Sequence, residues 1–211
     1  MPTTPGTGRG TYARTAERRS TIARTVLDLV LEKGHGGVTT AATAERADIS
    51  EATVLYHFPT RDHLLVAALR LAFDEDDERL SSGRPDVDLE GLRRYVIGGD
   101  REVALLYTML AGHAGTPGHP AREFFAEHYA RALERWTAII AARQEAGVAH
   151  PDVDTAEAAR QFLAAWTGLR TPWLIDPAFD LGASVLTAFR RLTGANVMDL
   201  RRILLDPGSG L

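Results

Sequence analysis

Apolar residues recur three and four positions apart through most of this 211-residue chain, the spacing that lines one side of an α-helix. From about Ala16 to Lys33 the positions Ile22, Val26, Leu29 and Val30 form such a stripe, and Gly34 stands where a left-handed residue ends a helix. After the loop HGGV, Thr39 is placed to cap a short helix to about Ala47, because its hydroxyl accepts from a first-turn amide that otherwise lacks a partner. The turn ADIS leads into a second short helix from Ser50. Pro59 disfavours helical geometry at Phe58 and closes it. Thr60 caps the next helix, RDHLLVAALRLAF, whose Leu64, Leu65, Ala68 and Leu71 share a side. Beyond SSGRPDVD the pattern predicts helices over about 88–98, 100–113, 120–146, 154–175, 180–192 and 196–205. No alternating run of four or more β-branched residues is bounded by turns, so the predicted fold class is all-α.

Composition adds limits. A chain that is 45% hydrophobic and 25% charged can bury an ordinary globular core. Its 24 basic and 28 acidic residues leave a net charge of -4, which argues against indiscriminate coating of nucleic acid or membrane. The distribution is uneven, however. Residues 1–27 carry Arg9, Arg14, Arg18, Arg19 and Arg24 against Glu17 alone, a basic arm. The acidic run DEDDE at 74–78 reads as solvated surface with nothing pairing its carboxylates. With no cysteine, disulfides, thiolate metal sites and cysteine nucleophiles drop out. MPTTPGTGRG lacks the apolar segment of a signal peptide, and no run reaches the roughly 20 apolar residues of a membrane span. A cytoplasmic protein is expected, with residues 1–12 as a flexible tail.

The segment 39–61 carries the candidate chemistry. Two short helices joined by a tight turn let one brace on a duplex while the other enters its major groove. Ala44, Ile49 and Val54 read as internal, and Ser50, Glu51, Ala52, Thr53, Tyr56 and His57 as outward. A helical corner that merely packs the N-terminus is the alternative. The stretch VTTAATAERADISEATVLYHFPTRDHLL resembles the N-terminal DNA-binding region of the TetR family of bacterial transcriptional regulators, in detail over roughly 18–66.

That resemblance implies an all-helical homodimer. It implies a three-helix DNA-binding domain at 13–60, a larger ligand-binding and dimerising domain at 61–211, and operator release by a small molecule. It implies Thr39 and Thr40 at the start of the first motif helix and Ser50 as cap of the recognition helix, with Glu51, Ala52 and Tyr56 on the outward face. It further implies Thr53 as a backbone or base contact, His57 as a phosphate contact and Arg61 as the basic residue opening the next helix. Arg14, Arg18 and Arg19 become candidate phosphate contacts beside it. This chain departs from the family pattern in three places. Asp48 holds the turn position usual for Gly. Leu55 stands where Tyr is usual, with Tyr56 one place later. Glu51 replaces a common basic residue.

For the C-terminal part, Tyr107, His113, Phe125, Tyr129 and Trp136 are candidate walls of an effector pocket, a mixture of aromatic faces and polar tips. Each taken singly also fits ordinary core. Phe162, Ala165, Trp166, Leu169, Trp173, Val185 and Phe189 form apolar stripes resembling the two helices of the family's dimer interface, with intramolecular core as the alternative. Pro172 is expected to kink or end the first of them. The seven histidines show no metal-ligand spacing, no Gly-rich loop follows a strand, and no serine sits in a nucleophile elbow. The reading is a non-enzymatic, ligand-responsive regulator, a repressor by resemblance, with no cofactor or metal and no membrane partner. Its partners are an operator duplex, a small effector and a second copy. A helical dimeric small-molecule-binding protein with weakened or lost DNA binding is the alternative.

Overall fold

The structure, a computed structural model, describes residues 8–81 and 99–205. Among them the chain forms α1 (Gly8–Lys33), a 3-10 turn (His35–Gly37), α2 (Thr40–Arg46), α3 (Glu51–His57), α4 (Arg61–Ser81), α5 (Arg101–His113), α6 (Ala121–Glu145), α7 (Thr155–Ile175), α8 (Leu181–Leu192) and α9 (Ala195–Leu205). No strand occurs among the described residues. The helix expected over 88–98 lies outside them.

Side-chain caps start six of these helices, α4 among them through Thr60, whose hydroxyl accepts from the His63 amide at 3.4 Å. Thr39 accepts from the Ala42 amide, Ser50 from Thr53, Asp100 from Glu102, Asp154 from Glu157 and Asp180 from Ala183. Each satisfies a first-turn N–H that has no carbonyl four residues back. One expected boundary differs, and one proline leaves its helix intact. α1 already begins at Gly8, inside the anticipated tail. α7 continues past Pro172 to Ile175, and the Asp176 amide bonds the Pro172 carbonyl at 2.9 Å. Proline removes a donor only at its own position, so a helix bonded on either side can carry one near its end.

The chain divides into two compact units, Met1–Asp77 with Asp100–Phe124, and Glu78–Gly99 with Phe125–Leu211. The first unit therefore extends beyond residue 60 and takes in most of α4 and all of α5. Its interior includes Ile22, Val26, Leu29 and Val30 from α1, Val54 and Phe58 from the α3 region, and Leu64, Leu65, Ala68 and Leu69 from α4. Phe73 joins α4 to α5 through Tyr107, with ring centroids 5.6 Å apart, and also meets Phe124 at 6.2 Å. Arg24 pairs with Glu75, so the acidic run does not stay wholly solvated: one of its carboxylates ties α4 to α1.

The second unit is built around Trp136, Ile139, Ile140, Ala158, Ala159, Phe162, Trp166, Leu181, Val185 and Phe189. α7 and α8 pack on one another, and the side-chain amide of Gln144 fastens the following loop by donating to the carbonyls of His150 and Val153, both at 2.8 Å. Arg143 is the unexpected member, a cation only 4% exposed whose guanidinium lies 5.7 Å from the Phe189 ring centroid. Burial pushes it below the ordinary arginine value and Arg190 adds to the effect, while Asp199 opposes it.

Candidate functional site

The first unit presents α3 as a braced rod. Seven residues make too short a helix to be stable alone, so its rigidity comes from neighbours. Val54 is fully buried beneath it. The turn before it depends on Asp48, whose φ of 51° lies in the left-handed region that Asp enters more readily than most residues. The Ile49 amide bonds the Ala44 carbonyl at 3.0 Å and closes the corner. Thr43, fully buried, bonds the Thr39 carbonyl through its hydroxyl at 2.7 Å.

Three further ties hold α2 and the rod. Across α2 and α3, the Thr40 hydroxyl donates to the Glu51 carboxylate at 3.0 Å. Between α1 and α2, Arg46 and Glu32 form a two-pronged pair, with one hydrogen bond of 2.8 Å. At the far end, Arg19 donates to the His57 carbonyl, and its guanidinium lies 4.3 Å from the centroid of the Phe58 ring. The first turn of α4 is tied as well: Asp62 meets His119 at 3.3 Å, and His119 accepts from the Ala121 amide through Nδ1, which leaves its Nε2 to donate to Asp62.

Outward, α3 exposes Glu51, Ala52, Leu55 and Tyr56, while Thr53 and His57 are half-buried. The Ser50 and Thr53 hydroxyls lie 2.8 Å apart and share a hydrogen bond. The His57 imidazole is held below its ordinary value, first by burial and then by the charges of Arg19 and Arg18.

Two expected contacts are committed elsewhere. Arg61 donates to the carbonyls of Val38 at 2.7 Å and His35 at 2.5 Å, so it secures the loop after α1 instead of reaching outward. Arg19 is occupied at His57 and Phe58. Arg14 and Arg18 remain exposed on α1. Leu55, exposed as well, is the outward residue that the site assignment omitted. Its spacing of four from Glu51 and three from Ala52 carried the signal.

A paired, capped helix corner of this kind matches known proteins. Residues 25–68 fit the family model described as bacterial regulatory proteins, tetR family. The N-terminal region of the chain is thus similar to the TetR family. It is 41% identical over 63 residues to the HTH-type transcriptional repressor KstR of Rhodococcus jostii, a match that spans 30% of this chain and 30% of that relative's length. Among solved structures, the multidrug binding protein EbrR complexed with imidazole is similar at 26% identity and a TM-score of 0.60, covering 84% of this chain and 90% of EbrR. Thermus thermophilus FadR, a TetR-family transcriptional repressor in complex with lauroyl-CoA, shares the fold at 21% identity and a TM-score of 0.59, covering 84% and 94%.

The remaining candidates lie as follows. Tyr107 is buried beside Phe73 in the first unit, and His113, exposed, stacks on His119 at 5.2 Å. In the second unit Phe125 is buried and meets Tyr129 at 5.9 Å, with Tyr129 partly open to solvent. Trp136 packs edge-on against Phe162, Trp166 and Phe189. The residue assigned to a pocket and three assigned to a partner interface thus form one aromatic cluster.

Most of the interface candidates are internal to the single chain. Phe162, Val185 and Phe189 have no exposed surface to offer a partner, Trp166 has little, and Leu169 and Trp173 lean on the same core. Large apolar side chains on two adjacent helices bury each other first, because a single chain gains that burial without losing the freedom of a second molecule. α7 exposes Ala164, Gly168 and Thr171 together with Glu157, Arg160, Gln161 and Ile175, and α8 exposes Ala183, Thr187 and Arg191. Ala165 is half-buried between the two faces. Among the described residues no three His, Asp or Glu side chains gather as a metal site requires, and no helix is long and apolar enough to cross a membrane.

Proposed function

We propose that this chain is a transcriptional repressor that binds a palindromic DNA operator as a homodimer and leaves it when a small-molecule effector binds. The observation that carries the reading is α3 itself, a helix too short to exist alone, braced by two separate side-chain ties, with a contiguous face left to solvent. The identity to the KstR repressor over 63 residues supports it. Arg14 and Arg18 supply phosphate contacts beside that face, and Thr53, Tyr56 and His57 fix its register.

The homodimer places two such helices about 34–36 Å apart in successive major grooves. The small outward residues Ala164, Gly168, Thr171, Ala183 and Thr187 suit close approach of a second copy through α7 and α8. EbrR with imidazole and FadR with lauroyl-CoA support a small-molecule effector, which we assign to the C-terminal helices. Phe125 and Tyr129 are the aromatic pair we assign to it. The effector acts by preferring the dimer form whose reading heads are wrongly spaced, and a coupling of about 1–3 kcal/mol weakens the operator complex several-fold to over a hundredfold. In this reading the protein acts in the cytoplasm and catalyses no reaction.

Selection from a random duplex pool at low salt tests the reading, with sedimentation of the free protein as its companion. An enriched palindrome and a dimer are expected. A second reading, a helical dimeric small-molecule-binding protein with weakened or lost DNA binding, is favoured by the exposed Glu51 carboxylate on the outward face, which repels phosphate. A dimer that enriches no palindrome would establish it.

A further inference from the structure

The outward face of α3 has a chemistry of its own. At about 100° per residue, Glu51, Leu55, Ala52 and Tyr56 follow one another around an arc of about 140°, and all four are exposed. Leu55 lies near the middle of that arc, 44% exposed, and Tyr56 at its rim is 80% exposed. No arginine, lysine, asparagine or glutamine occurs anywhere on the helix. Those are the side chains whose paired donors read guanine O6 and N7 or adenine N6 and N7.

The other polar groups of the helix lie at the edges of this arc or outside it, the Tyr56 hydroxyl at its rim and His57 beyond it. The Ser50 and Thr53 hydroxyls bond each other, and Val54 is inside. Glu51 holds the Thr40 hydroxyl and has acceptors only, so it opposes the guanine edge and the thymine O4 but accepts from an amino group. What the centre of the face can offer a base is hydrocarbon. In the major groove a single feature of the four base pairs answers to hydrocarbon, the C5 methyl of thymine.

We propose that α3 reads its half-site through thymine methyls, with Leu55 as the specificity-determining residue and Ala52 beside it, and that no guanine is read under the centre of the helix. This deepens the operator-binding reading and rests on it. Leu55, which breaks the family's usual pattern as a phosphate contact, becomes a base reader.

Uracil scanning tests this with the full-length protein. In the operator enriched from the random pool, each thymine of both half-sites is replaced in turn by uracil, which pairs identically and lacks only the methyl. Burying one methyl is worth about 0.8 kcal/mol, so about fourfold weaker binding is expected at one or two positions per half-site. Leu55→Ala should bind the thymine and uracil duplexes equally at the position under residue 55, and its unchanged melting temperature would show that the loss is not unfolding. If a palindrome is enriched but no uracil weakens binding, or if Leu55→Ala keeps the full thymine preference, this inference is overturned while operator binding stands. If no palindrome is enriched, operator binding itself fails and the inference falls with it.

Discussion

The guanidinium of Arg19 lies 4.3 Å from the centroid of the Phe58 ring and donates to the carbonyl of His57, thirty-eight residues along the chain. One α1 side chain therefore closes the open end of α3, where the last carbonyls have no helical partner. The contact converts a residue of the basic arm from a candidate phosphate ligand into a brace. Arg19→Ala should lower the stability of the protein by about 1 kcal/mol, the scale of an exposed cation–ring contact with its hydrogen bond. Operator affinity should fall with it, while sedimentation still gives a dimer. Thermal melts and gel shifts check this, and an affinity loss that persists at full stability with no change in the α3 amide exchange rates would restore Arg19 as a direct ligand.

Asp48 takes φ of 51° in the corner before α3. Left-handed geometry costs an ordinary L-residue roughly 1–2 kcal/mol. Asp48→Gly should therefore be neutral or mildly stabilising, and Asp48→Val should destabilise by about that amount, measured as a shift in urea midpoint.

Trp136 meets Phe162, Trp166 and Phe189 in one buried cluster. Trp136→Ala should cost about 3–5 kcal/mol, as large-to-small core changes do, and should depress operator binding and effector response together through loss of folded protein. Tyr129, already partly exposed, is the better probe. Tyr129→Ala should change stability by about 0.5 kcal/mol or less and weaken effector response alone, read as the effector concentration that halves operator binding.

His57 titrates below its ordinary value because burial and the neighbouring Arg19 and Arg18 disfavour its charged form. The unfolded chain then binds a proton at higher pH than the folded one. Its contribution to stability is fully present above about pH 6.5, the unfolded value, and is lost as pH falls through the depressed folded value. Urea midpoints should thus drop between pH 7.5 and 5.5, and His57→Gln should flatten that part of the curve. An identical slope in the variant would remove His57 as its source.

Helix positions and their caps were legible from residue order because each is set by neighbours three or four places away. Thr39, Ser50, Asp154 and Asp180 each satisfy an amide within their own first turn, and the stripe Ile22, Val26, Leu29, Val30 needs no knowledge of what covers it. The left-handed Asp48 was equally local. Choice of partner was not. Whether Arg61 reaches outward or grips the carbonyls of His35 and Val38, and whether Phe162, Val185 and Phe189 meet a second copy or their own chain, turns on residues 20 or more positions away. Periodicity marks a face as apolar or polar, but it carries no record of which surface that face meets. Only the packed chain decides that, since each side chain goes to the partner that removes most apolar area from water or satisfies most polar groups at least loss of freedom.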